Sequence, residues 1–222
     1  MGQVDITLAL PKGKLGQESI KLLEQAGLPV AGLETEARRL LYEYPSRGIK
    51  YIICRPTDVP TYVEYGAADL GIAGKDVLVE SGAGVLELLD LRFGYCRFVV
   101  AVPGSRLHEG QPFDLNAMSH RRVATKFPRV TEEFFRNLGV QVEVIKLHGN
   151  IELAPQVGLA DMIVDIVSTG RTLAENDLVP VAEIFPATAR LVANRVSFRL
   201  KYERVQEVLL AMEAAVGPQG RP

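Results

Sequence analysis

The sequence is poor in the residues that staple or metallate a protein. It has two cysteines and three histidines in 222 residues. Two cysteines make no disulfide framework. Cys54 and Cys96 stand among apolar neighbours and read as reduced, buried and inert. His108, His120 and His148 have no metal-ligand spacing with one another or with the cysteines. No Ser-His-Asp or Cys-His arrangement for nucleophilic catalysis is visible. Basic residues are not in excess either. There are 25 Lys and Arg against 27 Asp and Glu, and the net charge of −2 speaks against non-specific nucleic-acid binding. No apolar run approaches the ~20 residues of a membrane span. The segment from Met1 to Asp5 lacks the basic and then apolar stretches of a secretory signal. Ile6 stands where N-myristoylation would require Ser or Thr. These absences predict a cytoplasmic chain with neither nucleic acid nor membrane as partner. What remains is ordinary globular material, 47% hydrophobic and 23% charged, long enough for one large domain or two small ones.

The most informative stretch is Asp161-Met-Ile-Val-Asp165-Ile-Val-Ser168-Thr169-Gly170-Arg171-Thr172-Leu173. Its first half is rich in β-branched residues and reads as a buried strand. Its second half holds three hydroxyls and a glycine. Thr172-Leu-Ala-Glu175 has the spacing of a capping box opening a short helix. A strand that runs into such a turn and a helix start forms a phosphate cradle. Free backbone N–H groups point at the anion, hydroxyls add donors, and glycine permits close approach. Asp161 and Asp165 lie four apart, on one face of the strand. A carboxylate just before a phosphate turn can bind the hydroxyls of a sugar whose phosphate fills it.

Strands and helices alternate along the chain. A strand at Asp5–Leu10 runs into Pro11-Lys12-Gly13-Lys14 and a helix to about Ala26. This places Lys12 and Lys14 where open α/β sheets bind ligands. Strands over Arg38–Tyr42 and Ile49–Cys54 flank a hairpin turn, and Arg55 ends the second. A helix opens at Asp58, Leu70–Ala73 is a buried strand, and Gly74-Lys75-Asp76 leads into a helix to about Ser81. Strands at Leu86–Phe93 and Phe98–Val102 are expected to cross into a second lobe. Arg121–Thr125 precedes Lys126-Phe-Pro128 and a helix ending near Gly139. After the phosphate turn, strands at Leu178–Phe185 and Ala189–Asn194 are expected to return to the first lobe, with a last helix at about Tyr202–Val216.

One pattern occurs twice. Tyr51–Arg55, a short helix and Gly66-Ala-Ala-Asp69 before an apolar strand correspond to Val144–Leu147, a short helix and Gly158-Leu-Ala-Asp161 before another. The repeat predicts an α/β protein of two similar lobes around a cleft. The expected boundaries are 1–92 plus 180–222 for the first lobe and 93–179 for the second.

The run from Gly158 through Asp161, Asp165 and Ser168-Thr-Gly170-Arg-Thr172-Leu173, with Glu152 six residues upstream of Gly158, resembles the signature of the ATP phosphoribosyltransferases. Leu10-Pro-Lys-Gly-Lys-Leu15 resembles that family's first segment, and the similarity covers nearly the whole chain. The resemblance implies a fold similar to periplasmic binding proteins of type II. The implied reaction is attack by N1 of ATP on the anomeric carbon of phosphoribosyl pyrophosphate (PRPP), with magnesium pyrophosphate leaving, as the first step of histidine biosynthesis. On this basis Asp165, Ser168, Thr169, Gly170 and Thr172 hold the ribose 5-phosphate, and Asp161 holds ribose hydroxyls or orients the turn. Lys12, Arg38 and Arg55 are expected to neutralise the pyrophosphate. Lys14, Asp76 and Lys126 are candidates for contacts to ATP or magnesium. Mg²⁺ is expected to arrive with PRPP and not on a resident protein site. The chain resembles the short form, which lacks a C-terminal regulatory domain. That resemblance implies a second subunit related to histidyl-tRNA synthetase and a homodimer of catalytic subunits. Two alternatives stand beside this one: a two-lobed solute receptor or effector-binding module, since fold does not determine function, and a transferase moving phosphoribosyl to another acceptor.

Overall fold

The computed structural model describes residues 6–36, 38–107 and 110–217. His108, the N-terminal segment to Asp5 and the last five residues lie outside the described residues. The chain divides into two compact units, Met1–Gly94 with Thr188–Pro222, and Tyr95–Ala187. The first contains β1 (Ile6–Pro11), α1 (Lys14–Gln25), β2 (Leu41–Tyr44), β3 (Ile49–Cys54), α2 (Val59–Glu64), β4 (Leu70–Gly74), α3 (Lys75–Ser81) and β5 (Leu86–Asp90). The second contains β6 (Cys96–Pro103), β7 (Arg121–Thr125), α4 (Pro128–Leu138), β8 (Val142–Lys146), α5 (Leu153–Gln156), β9 (Met162–Val167), α6 (Arg171–Glu175) and β10 (Leu178–Ala187). The chain then re-enters the first unit with β11 (Ala189–Ala193), α7 (Arg195–Leu200) and α8 (Tyr202–Val216).

The first sheet has the order β2-β3-β1-β4-β11-β5 and the second β10-β6-β9-β7-β8. Inside each lies the same motif. β3-β1-β4 and β8-β7-β9 are parallel triplets, and an antiparallel strand, β11 or β6, flanks the third member. Parallel strands need helical crossovers, and these cover the sheet faces, so the strands are apolar on both sides. In the first unit Leu8 and Leu10 pack with Leu22, Leu23, Val205 and Met212 on one face. Ala9 between them packs with Val59 and Val63 on the other. That second face is tight. A Cβ on Gly71 would stand 2.7 Å from Val63 Cγ2 and 2.9 Å from Val59 Cγ1, so only glycine lets α2 lie so close. In the second unit Val99, Ala101, Ala124, Ile163 and Leu173 form a core. The rings of Phe127 and Phe185 pack against Phe98, with centroids 4.7 and 4.8 Å away. Both cysteines are buried and unbridged, and burial together with the nearby Asp58 charge pushes the Cys54 thiol up to about 12, which leaves it inert.

The repeated Gly-x-Ala-Asp has a structural meaning. The Asp69 N–H donates to Thr7 O at 2.8 Å, while Asp69 Oδ2 accepts the Thr7 N–H at 2.9 Å. The Asp161 N–H donates to Arg122 O at 2.8 Å, while Asp161 Oδ2 accepts the Arg122 N–H at 3.0 Å. In each unit, then, one aspartate clamps the start of the third strand to the first. Ser197 Oγ and Lys201 Nζ also donate to Asp69, at 2.6 and 2.8 Å.

Three expectations need correction. Leu178–Phe185 does not return to the first unit. It lies within β10, which pairs antiparallel with β6 along its length, and the chain crosses back only at Thr188. Leu86–Phe93 does not enter the second unit, because β5 pairs with β11 in the first. The capping box at Thr172 does not form. The helix is capped two residues earlier, by Gly170 in a left-handed conformation (φ 78°), and Glu175 pairs with Arg171 at 2.7 Å.

The clamp predicts a large effect for Asp69→Ala. Asp69 is 5% exposed, and its loss takes an acceptor from the Thr7 N–H and the Ser197 hydroxyl and removes the ion pair to Lys201. Losing a buried charged acceptor of several hydrogen bonds costs about 3 kcal/mol. The thermal midpoint should fall by roughly 6–12 °C in a chain of this size. A fall of less than 2 °C would show that the clamp is dispensable.

Candidate active site

The phosphate turn lies at the C-terminal end of β9. Ser168, Thr169, Gly170 and Thr172 line a cavity of about 250 Å³ together with Asp165, Arg171 and Glu152. Ser168, Thr169 and Thr172 are exposed. The Thr169 hydroxyl stands 3.5 Å from the Arg171 N–H. β-branched Ile163, Val164 and Val167 carry the strand through the core, and the left-handed Gly170 ends it. A glycine takes that conformation at little cost.

Asp165 sits at the floor of this cavity and is 7% exposed. One of its oxygens accepts the Ile166 N–H at 2.8 Å. Burial raises its pKa above the usual carboxylate range. The Ile166 N–H and the Lys126 charge oppose the rise, and the Glu152 charge adds to it. Lys126 follows the C-terminal end of β7. Glu152 faces the same cavity from just before α5. Two carboxylates and an ammonium beside a hydroxyl turn suit a phosphorylated sugar, whose diol takes the acids and whose phosphate takes the turn.

Asp161 is elsewhere. Seven residues of strand separate it from Ser168, roughly 23 Å at a rise of 3.3 Å per residue. Sharing a face with Asp165 does not place it at the same end of the sheet. Arg106 Nη2 donates to its Oδ1 at 2.5 Å, and Arg121 Nη1 stands 3.9 Å away. Burial alone would raise its pKa. The Arg122 N–H and the Arg106 and Arg121 guanidiniums outweigh that and hold it below the carboxylate range. Asp161 is an ion-pair hub at the end of β9 away from the turn.

In the first unit the remaining candidates gather at one edge. Pro11 pairs with Cys54, and the Lys12 N–H donates to Cys54 O at 2.8 Å, so Lys12 and Arg55 leave neighbouring strands side by side. β2 runs antiparallel to β3, and the Ile53 N–H donates to Leu40 O at 2.8 Å, which carries Arg38 back towards the Arg55 end. Lys14 opens α1. Asp76 is in the first turn of α3, at the C-terminal end of β4, and its carboxylate lies against Gly74, where a Cβ would stand 2.0 Å from Oδ1. Burial raises the Asp76 pKa, and the N–H groups of Val77 and Asp76 partly offset this. Lys75 beside it is paired with Glu87. Among the described residues no group of three or more His, Cys, Asp and Glu could hold a metal ion.

Two residues escaped assignment from the sequence. Glu152 was part of the signature without a role. Glu36 gave no signal. Its carboxylate accepts the Gly13 N–H at 2.8 Å, between Lys12 and Lys14, and 23 residues of chain separate the partners.

The two acids of β9 predict opposite variant effects. The Asp165 pKa is raised on folding, so its ionisation removes stability as pH climbs through the raised value. Asp161 is the reverse: it adds stability that is lost as pH falls. At neutral pH, Asp165→Asn should raise the thermal midpoint and Asp161→Asn should lower it. Shifts of the same sign would refute this electrostatic description.

A family model described as ATP phosphoribosyltransferase matches residues 55–214. The ATP phosphoribosyltransferase of Moorella thermoacetica is 65% identical over 97% of this chain and 95% of its own length. That of Desulfitobacterium hafniense is 56% identical over 96% of each. Among solved structures, the ATP phosphoribosyl transferase (HisG:HisZ) complex from Thermotoga maritima superposes with a TM-score of 0.79 at 36% identity, covering 95% of this chain and 98% of that one. The alkanesulfonate-binding protein SsuA from Xanthomonas axonopodis superposes with a TM-score of 0.55 at 15% identity, covering 97% of this chain and 74% of that one. That second likeness is one of fold, and it gives the two α/β units the build of periplasmic binding proteins. The chain belongs to the ATP phosphoribosyltransferase family, the enzymes that transfer 5-phosphoribosyl from PRPP to N1 of ATP with release of pyrophosphate, the first step of histidine biosynthesis.

Proposed function

We propose that the chain holds the 5-phosphate of PRPP in the turn Ser168–Thr172 and the ribose hydroxyls at Asp165 and Glu152. The supporting observation is the 250 Å³ cavity in which a buried carboxylate and exposed hydroxyls face one space. This refines the expectation for Asp165, because a carboxylate repels a phosphate and accepts from a diol. Lys126, whose charge reaches Asp165, is assigned as the cation for the phosphate.

In the reaction the bond from the anomeric carbon to the pyrophosphate oxygen breaks, and a bond to N1 of ATP forms. The ribose gathers positive charge on the way and the leaving group negative charge. No covalent nucleophile is required. Asp165 and Glu152 favour the cationic ribose. Lys12, Arg55 and Arg38 stabilise the departing pyrophosphate, which carries its magnesium as part of the substrate. Lys14 and Asp76 are assigned to ATP. Glu36 must release the Gly13 N–H for that group to reach an anion.

We further infer that the chain acts in the cytoplasm, since no helix among the described residues is long and apolar enough to cross a membrane. We infer as well that its catalytic subunits dimerise and that it works with a regulatory subunit related to histidyl-tRNA synthetase. The Thermotoga relative, solved as a HisG:HisZ complex, supports the second subunit.

Arg55→Ala should lower kcat by about a hundredfold with PRPP affinity changed far less, the scale of one preorganised charge at a leaving group. Steady-state kinetics in both substrates checks this. An unchanged kcat would remove Arg55 from the mechanism.

A further inference from the structure

We propose that Glu36 is an internal competitor of the leaving group. In the free chain its carboxylate holds the place of a pyrophosphate oxygen at the head of α1, and it returns there as the product departs. The inference rests on the reading of Lys12 and Arg55 as the pyrophosphate site, and it adds to that site the residue that sets its affinity.

The contact is held in place by packing. Glu36 Oε1 accepts the Gly13 N–H at 2.8 Å across 23 residues of chain. The residues before it are seated on the first unit. Leu33 belongs to its core, and Thr35 is 3% exposed. Thr35 lies against the first turn of α1, where Gly16 makes room for it. A Cβ on Gly16 would stand 2.6 Å from Thr35 Cγ2 and 1.9 Å from Pro11 O. The Tyr42 hydroxyl ties the same segment to β2 by donating to Glu34 O at 3.2 Å. With Thr35 fixed on α1, the next side chain reaches Gly13.

The position that Glu36 takes suits an anion. The first bond within α1 runs from the Gln17 N–H to Gly13 O at 3.1 Å, so the N–H groups before it have no partner in the helix. The dipole of a helix favours negative charge at this end. Lys12 and Lys14 stand on either side of Gly13, and Arg55 leaves the strand beside Lys12. Among the described residues none of these three cations forms an ion pair. The acids at this edge are Glu36 and Asp58, whose charge bears on Cys54 and which accepts from Thr57 Oγ1 at 3.2 Å. A positive excess therefore remains with Glu36 in place.

A pyrophosphate oxygen that takes the Gly13 N–H must first displace this carboxylate. The apparent affinity falls by the fraction of chains in which that donor is free. On departure of the product Glu36 takes the donor back, so the N–H is not left bare. The exchange weakens substrate and product alike, and it keeps a tight polyanion site from trapping its own product.

The test is calorimetric titration of the full chain with magnesium pyrophosphate. Glu36→Gln keeps the size of the side chain and removes its charge. It should tighten the Kd about tenfold, the scale of one charge-assisted hydrogen bond no longer given up on binding. Glu36→Ala should give the same gain. Glu34→Gln removes an equal charge from an exposed position two residues away and should leave the Kd unchanged. The gain should vanish when Lys12→Ala is added. In steady-state kinetics Glu36→Gln should lower the KM for PRPP without raising kcat, a change that damage to the fold does not produce. A Kd that Glu36→Gln fails to tighten, while Lys12→Ala weakens it, overturns the role of Glu36 and leaves the pyrophosphate site standing. A Kd that neither substitution moves overturns both, because pyrophosphate then binds elsewhere. An equal gain in Glu34→Gln overturns the proposal in favour of a diffuse effect of charge.

Discussion

In each unit a single aspartate fixes the register between the first and third strands of the parallel triplet. Parallel strands have no hairpin to set their alignment, so something else must. Asp69 and Asp161 do so by exchanging hydrogen bonds with the backbone of Thr7 and of Arg122. With that end pinned, the rise per residue determines where each strand stops. β4 delivers Gly74-Lys75-Asp76 and β9 delivers Ser168-Thr169-Gly170, both at the edge where an open α/β sheet binds ligands. The clamp at one end of each sheet therefore sets where the turn at its other end stands.

The electrostatics of β9 follow the same division. Asp161 is surrounded by donors and cations and stays readily ionised, as suits a structural pair. Asp165 is buried with one backbone donor, near a second acid, and is reluctant to ionise. In the function proposed above, the sugar diol is the donor that this carboxylate takes up.

The two-unit α/β build was legible because periodicity, Gly-x-Ala-Asp and the strand-to-turn transition at Ser168 all carried it. The misreadings share a cause: the sequence specifies faces better than distances and partners. Alternation put Asp161 and Asp165 on one face, but nothing local showed that one clamps a neighbouring strand while the other floors a cavity. β10 read as a strand, yet its allegiance depends on pairing with β6, some eighty residues away. The Thr172–Glu175 spacing suggested a cap, and the Arg171–Glu175 pair, also local, prevailed. Glu36 on the Gly13 N–H left no pattern at all, because both ends of that bond lie in irregular chain.

The central claim is that the turn after β9 receives the ribose 5-phosphate. Hydrogen–deuterium exchange of the chain with and without ribose 5-phosphate tests it most directly, because this ligand lacks the pyrophosphate and cannot react. The account predicts slowed exchange in peptides covering Val167–Leu173, with Lys12–Lys14 and Arg55–Asp58 unchanged. Protection of Lys12–Lys14 with no change over Val167–Leu173 would contradict it and move the phosphate to the first unit.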